Sequence, residues 1–291
     1  MGVRCKNRGH TPDPPLPLIS SPFTLHASRL TPHSVTIARM SSRTHFGFET
    51  VDASEKAGRV MGVFSSVADK YDIMNDAMSA GMHRLWKRRM IQVAAVKQDS
   101  AVLDVAAGSG DISIGMLQKM GSRGDRSGRV ILTDLNGPML AEGARRVIDE
   151  GFLAGTADCI QSDGTQLAFA DNSFDVVSIA FGIRNFVDIE AGLAEFYRVL
   201  KPGGQFICLE FSRPVLPLLD VVYDAYSFNM IPAMGEWITG DRSSYQYLVE
   251  SIRRFPDQRR FSRLISLAGF ELVKHENMTG GIVALHRGYK V

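Results

Sequence analysis

A run of small residues follows a lone carboxylate in Asp104-Val-Ala-Ala-Gly108-Ser109-Gly110-Asp111. Apolar Ala101, Val102, Leu103 and Val105 surround that carboxylate, and a helix-like stretch, Ile112 to Met120, follows the run. The pattern reads as strand, turn and helix, with a ligand able to approach the backbone where glycine carries no Cβ. Asp111 puts a carboxylate at the helix N-terminus, where a diphosphate needs positive potential. Ser113 stands where a dinucleotide fingerprint has its third glycine, so a nicotinamide oxidoreductase fits the turn poorly. A ligand with an amino group and a sulfonium is compatible with Asp111. Asp134, 24 residues beyond Gly110, closes a second strand and can accept both ribose hydroxyls of an adenosine. Asp163-Gly164 can set an acceptor beside an adenine amino group, or form a plain Asp-Gly turn. Asp104 reads as structural, bonding turn amides or the ligand's amino group.

The elements that must position these residues alternate along the chain. Strands are expected at 101–106, 129–134, near 159–161, at 174–180 and at 205–211, separated by helices at 112–120, 138–150 and 191–200. That βαβα succession implies a parallel sheet with right-handed crossovers. Lys201-Pro-Gly-Gly204 reads as a helix stop. Before the sheet, Val60, Phe64, Val67 and Tyr71 recur at helical spacing, and Met74 and Met78 follow at i, i+4. A second helix begins near Met82, with Leu85, Trp86 and Val93 as its buried stripe and Arg84, Lys87 and Arg88 on its other side. That basic side is either a solvated face or a contact with a membrane or partner. The apolar, aromatic stretch from Pro214 to about Gln258 breaks the alternation and reads as an inserted helical lid. Phe261–Ala268 resumes a core helix, and 271–274 and 282–287 form a closing hairpin around Thr279-Gly280-Gly281.

Composition narrows the class. The 291 residues carry a net charge of +2, but residues 1–48 hold six of the 33 basic groups and only Asp13 of the 31 acids. The remainder is therefore −3, which argues against nucleic-acid binding through a basic surface. Residues 1–48 also hold half of the 12 prolines and read as an organellar transit peptide or a disordered leader. Cys5, Cys159 and Cys208 lie far apart, with no metal-ligand spacing, so no metal is indicated and the thiols read as reduced.

Longer stretches are more specific than the glycine turn. Asp104-x-x-x-Gly108-x-Gly110 resembles the first motif of S-adenosylmethionine-dependent methyltransferases, with Ala106 in place of that motif's first glycine. Phe64-Ser-Ser-Val-Ala-Asp-Lys-Tyr-Asp-Ile-Met-Asn-Asp-Ala-Met-Ser-Ala-Gly-Met-His-Arg-Leu-Trp-Lys87 resembles the N-terminal signature of the ubiquinone/menaquinone biosynthesis C-methyltransferases. So do Phe181-Gly-Ile-Arg-Asn185, Arg198-Val-Leu-Lys-Pro-Gly-Gly204, Asp224-Ala-Tyr-Ser-Phe228 and Ala284-Leu-His-Arg-Gly-Tyr-Lys290. The likeness covers residue 44 to the end and, with the leader, points to the mitochondrial branch of the family.

The resemblance implies an α/β, Rossmann-like methyltransferase domain over 49–291, with a mostly parallel sheet and a C-terminal antiparallel hairpin. N-terminal helices (49–99) and an inserted lid (214–258) complete it. It implies transfer of a methyl group from S-adenosyl-L-methionine to a ring carbon of a polyprenylated methoxy-benzoquinol in ubiquinone biosynthesis. Asp104, Gly108, Ser109, Gly110, Asp134, Asp163 and Gly164 are expected at the cofactor; Ala180 replaces a serine found in some relatives. Carbon methylation needs electron density on the ring, and ionising an ortho or para hydroxyl supplies it. Arg184, Asn185 and Tyr71 are the expected substrate-activating set. Arginine stays protonated, so it stabilises phenolate or orients water, and Asp72 or His83 is left as the proton acceptor. Asp72, Met74, Met78, His83 and Tyr226 are expected around the substrate, whose apolar tail the 214–238 part of the lid would line together with Met74 and Met78. The expected partners are other ubiquinone-biosynthesis proteins in a multi-subunit complex and the matrix face of the mitochondrial inner membrane, held peripherally. A homodimer is allowed, and no nucleic acid is expected. The alternatives are a cofactor-holding scaffold subunit, or a methyltransferase on another small aromatic acceptor.

Overall fold

Strand β3 (Ala101–Val105), with Leu103, Val102 and Asp104 all buried, sits inside a seven-stranded sheet. The computed structural model describes residues 43–67, 71–121, 127–152, 155–216, 219 and 223–291, and side chains for all of these except 66, 67 and 71–74. The leader therefore lies outside the described residues up to residue 42. Its last part does not: Arg43–Phe46 (β1) and Glu49–Asp52 (β2) pair as an antiparallel hairpin, so structure begins inside the stretch expected to be a leader.

Strands β4 (Arg129–Asp134), β5 (Ala157–Gln161), β6 (Phe174–Ala180) and β7 (Leu200–Phe211) run parallel with β3. Strands β8 (Glu271–Met278) and β9 (Val283–Tyr289) form the expected C-terminal hairpin, and β9 pairs antiparallel with β7. The order is β5-β4-β3-β6-β7-β9-β8. The chain moves outward from β3 through β5 and then returns to β6 on the other side of β3. Ligands bind above the carboxyl ends of strands at such a reversal. The helix Ile189–Val199 stops just before Lys201-Pro-Gly-Gly204 as expected, but β7 already begins at Leu200 and runs through that segment, with a register shift between Phe174 and Val176 on its partner strand.

Successive strand residues face opposite layers, and both layers are apolar. Val102, Val130 and Val176 pack with α3 (Met82–Val93), α4 (Asp111–Lys119) and α5 (Gly137–Asp149), through Trp86, Met90, Met116, Leu117 and Leu140. Leu103, Ile131 and Val177 pack with α6 (Ile189–Val199) and α9 (Gln258–Leu267), through Leu193, Phe196, Phe261 and Ile265. Helices start where side chains satisfy the free amides: Asn136 accepts from Met139 N, Asp188 from Ala191 N and Asp257 from Arg259 N and Arg260 N.

The N-terminal helices differ from the periodicity. Helix α1 runs Ala53–Val67, starting seven residues before Val60, and Tyr71 belongs to a separate α2 (Tyr71–Ser79). In α3 the buried face is His83, Trp86 and Met90, while Leu85, expected in the core, is half exposed. The lid contains a π-helical turn at Tyr226–Met230, then α7 (Ile231–Thr239) and α8 (Arg242–Arg254). Ile231, Tyr245 and Val249 form its own small core, joined by Met78, Tyr226, Phe228 and Leu248. Among the described residues no helix is long and apolar enough to cross a membrane.

Candidate functional site

Two adjoining pockets lie at the carboxyl ends of β3, β4 and β6. The first, about 160 Å³, is lined by Asp104, Gly108, Ser109, Asp134, Asp163 and Gly164 from the expected cofactor set, together with Asn185, Leu135, Asn136, Met139, Ala180 and Phe186. The second, about 380 Å³, is lined by Met78, His83, Arg184 and Tyr226 from the expected substrate set. Trp86, Phe211, Tyr223, Ile231, Tyr245, Tyr247 and Leu248 add to its wall. Phe64, Lys87 and Phe181 line both. The side chains of Tyr71, Asp72 and Met74 lie outside the described residues.

Gly110, expected at the cofactor, does not line the first pocket. It has a φ of +83°, and a Cβ there would meet Leu132 and the backbone of Gly143 on α5. Its task is to let α5 pack close. Gly108, at φ +54°, would meet only the Met139 methyl at 3.4 Å, so its open side leaves ligand access to the backbone. Ala106 and Phe181, at the ends of β3 and β6, also hold positive φ of 51° and 56°. A left-handed backbone is costly for residues with a Cβ, and such strain clusters at ligand sites. A Cβ on Gly182 would stand 2.5 Å from that of Ala106, so these two crests touch.

Asp134 accepts from Gly108 N and Asn136 N, both at 2.8 Å, which fixes its carboxylate at the pocket edge. Burial pushes its pKa up, while these backbone donors pull it down. Asp104 is fully buried and accepts from Ser113 Oγ at 2.6 Å and Ser178 Oγ at 2.7 Å. Burial holds its pKa at about 6. The Ser113 hydroxyl is thus accounted for by Asp104 rather than by any ligand. Asp163 Oδ1 accepts from Thr165 N and Oγ1, an Asx turn that presents the rest of the loop to the pocket.

Asp111 stands at the start of α4, as expected, and lines the first pocket. Its carboxylate is paired with Lys87 Nζ at 2.6 Å and Arg146 at 2.7 Å. These cations offset its burial and lower its pKa. It therefore anchors α3 and α5 to the start of α4, and its negative charge is compensated. The same pairs consume the basic side of α3: Arg84 pairs with Asp76 and Arg89 with Glu276. Of that expected basic face, Arg88 stands exposed with no ion pair among the described residues.

The first pocket fits an adenosyl sulfonium ligand. A fixed carboxylate lies at the end of β4, backbone is accessible at Gly108, and Leu135, Met139 and Phe186 offer apolar walls for a base. Asp134 would hold the ribose, and the 106–109 turn would meet the amino-acid portion.

Arg184 is buried and bonded to Glu210 Oε1 at 2.9 Å, within an ion pair whose carboxylate is fully buried; it also donates to Phe181 O. Its Nε is buried without a hydrogen-bond partner. Glu210 is a site residue that sequence reasoning missed; the signal was one acid at the end of the apolar stretch Phe206–Leu209, all of it buried. Asn185 accepts from Tyr247 OH at 2.9 Å, and Tyr247 stacks on Phe46 of β1 with ring centroids 4.1 Å apart. Burial pushes the Tyr247 hydroxyl up to about 12. Tyr226 donates to Met78 O at 3.1 Å, tying the lid to α2. Of the 214–238 lid stretch expected to shelter a tail, Tyr223, Tyr226 and Ile231 line the cavity while Leu216, Met230 and Trp237 face solvent, and Tyr245, Tyr247 and Leu248 of α8 add to the lining.

Comparison with known proteins agrees with this geometry. The sequence pattern of the ubiE/COQ5 methyltransferase family matches residues 51–290. The ubiquinone/menaquinone biosynthesis C-methyltransferase UbiE of Ruegeria is 52% identical over 253 residues, covering 87% of this chain and 99% of that protein. The protein of the same name from Teredinibacter turnerae is 51% identical over 247 residues, covering 85% and 97%. Among solved structures, a SAM-dependent methyltransferase from Thermotoga maritima aligns with a TM-score of 0.54 at 17% identity, covering 79% of this chain and 99% of that one. That likeness shows the Rossmann-like methyltransferase fold. The sequence relatives are bacterial, which contradicts the mitochondrial inner-membrane location expected from the leader.

Proposed function

The chain belongs to the ubiE/COQ5 methyltransferase family and is an S-adenosylmethionine-dependent C-methyltransferase of ubiquinone/menaquinone biosynthesis; we propose that its acceptor is a prenylated methoxy-benzoquinol held in the larger cavity. The observation that carries this is the apolar 380 Å³ cavity sharing Phe64, Lys87 and Phe181 with the donor pocket. An aromatic ring in that cavity lies against the pocket that holds the methyl donor, as in-line transfer requires.

S-adenosylmethionine, when bound, supplies an electrophilic methyl group on a sulfonium. The chain's own residues then have to orient the ring, exclude water and manage one proton. Trp86, Phe181, Phe211 and Tyr245 give the cavity walls that exclude water. In this reading Arg184 is a hydrogen-bond donor to a ring oxygen. Its charge is balanced by Glu210, its unpartnered Nε is a donor, and a guanidinium cannot accept the proton. Asn185, fixed by Tyr247, positions the wall between donor and acceptor. Tyr71 belongs to the proposed activating set from the sequence motif.

The test is incubation with methyl-labelled S-adenosylmethionine and a short-chain methoxy-benzoquinol lacking the ring methyl. Label is expected on the ring carbon. Binding of both ligands without ring label would favour a cofactor-holding scaffold, and label on oxygen would exclude C-methylation of this acceptor.

A further inference from the structure

The reaction proposed above requires a group that removes the quinol hydroxyl proton, and among the described residues the acceptor cavity offers a histidine with the right chemistry. His83 on α3 is buried, 7% exposed, and lines the cavity with Arg184 and Trp86. Its Nε2 lies 3.2 Å from Asp76 Oδ1 on α2. A carboxylate at that nitrogen fixes the tautomer with the proton on Nε2 and leaves the Nδ1 lone pair as acceptor. Nδ1 is buried and has no hydrogen-bond partner. A buried nitrogen left unsatisfied in an apolar wall is costly, and the hydroxyl of a bound ring would complete it. Among the described residues, Asp111 is committed to Lys87 and Arg146, and Glu210 to Arg184.

We propose that His83 is the proton acceptor for the ring hydroxyl, and that Asp76 is its positioning residue. This rests on the quinol reading given above. The O–H bond breaks, its proton goes to His83 Nδ1, and the electron pair stays on oxygen. That density reaches the ortho or para carbon, which bonds the methyl carbon as the carbon–sulfur bond breaks and its pair remains on sulfur. The ring C–H proton then leaves to water, the ring regains aromaticity, and the imidazolium returns its proton to the oxygen. One methyl is gained and one proton is released per turnover.

The electrostatic surroundings favour a neutral imidazole. Burial is the largest influence and lowers the His83 pKa; Lys87 and Arg84 on α3 lower it further, while Asp76 on α2 and Asp111 at the start of α4 raise it. A base must be unprotonated to act, so turnover should rise with pH along an acid limb whose midpoint lies below the ordinary histidine value of about 6.5, then level off.

The experiment measures kcat and KM between pH 5 and 9 for the full chain with labelled S-adenosylmethionine and a short-chain benzoquinol. For His83→Asn we expect kcat to fall roughly 100- to 1000-fold, the range for loss of a general base, with cofactor affinity within about threefold and the acid limb gone. In His83→Gly, added imidazole should restore activity about tenfold. Asp76→Asn keeps the imidazole and removes a charge that raises its pKa, so the acid limb should move to lower pH. This variant also covers the case in which a substitution at buried position 83 disturbs folding. A His83→Asn enzyme within fivefold of the original, or an acid limb unmoved by Asp76→Asn, would overturn the assignment while leaving the quinol reading intact. Original enzyme that puts no label on the ring overturns the quinol reading and this inference with it.

Discussion

At the scale of single residues, Asp104 shows how a site can set the pH range of stability. It is fully buried between Ser113 and Ser178, and burial moves its pKa up to about 6 from 3.8. An acid with a raised folded pKa binds more protons in the folded than in the unfolded chain between those values. Its contribution to stability is therefore full below about pH 4 and is lost as pH rises through about 6. Asp104→Asn keeps groups able to bond both serines and removes the ionised form. In thermal melts of the ligand-free protein it should raise Tm by several degrees at pH 7.5 and change it little at pH 4.5. An equal shift at both values would place the effect in packing instead. The carboxylate itself was legible, as one acid within an apolar strand. Its partners were not, because Ser178 lies 74 positions away and Ser113 reads as a failed glycine. Glu210 hid in the same way: its meaning comes from Arg184, 26 residues earlier, which strand periodicity cannot report.

At the scale of elements, the alternation of strands and helices was legible because each buried face has its own period, and all seven strands of the sheet overlap the segments the pattern gave them, with β7 starting five residues earlier and β8 ending four later. The β1–β2 hairpin was missed because four-residue strands carry too little pattern. Its turn holds Gly47 at φ +58°, and Phe48 N donates to Glu250 of α8, a contact 202 residues distant. The close seat of α5 on the glycine turn was likewise invisible. A Cβ on Gly143 would stand 2.8 Å from the Gly108 carbonyl oxygen, a backbone atom that cannot move aside without shifting the turn. Helix propensity favours alanine over glycine by about 1 kcal/mol, so an isolated helix would gain from Gly143→Ala. Here the opposite sign is expected: Gly143→Ala should weaken S-adenosylmethionine binding at least tenfold by titration calorimetry and lower Tm. Unchanged affinity would mean that α5 and the turn separate freely.

At the scale of the whole molecule, the two pockets belong to different layers of construction. The donor pocket is built by the sheet ends, while the acceptor cavity is closed by α2, α3 and α8 over Phe181 and Phe211 at the ends of β6 and β7. Asp111 lines the donor pocket and binds these layers together through Lys87, so the charge read from sequence as disfavouring a diphosphate is also a joint between α3, α4 and α5. Occupying the donor pocket should therefore stabilise the sheet and complete one wall of the acceptor cavity. A ligand that binds only the folded chain stabilises it by about 2.7 kcal/mol at 100 times its Kd, which for a domain of this size raises Tm by roughly 5–10 °C. S-adenosylmethionine is expected to give that rise alone, in a concentration-dependent way. A short-chain quinol should add a clear further rise only when S-adenosylhomocysteine already fills the donor pocket, because Phe64, Lys87 and Phe181 are shared walls. Differential scanning of the four combinations measures this coupling, and additive shifts in any order would show that the two pockets are filled independently.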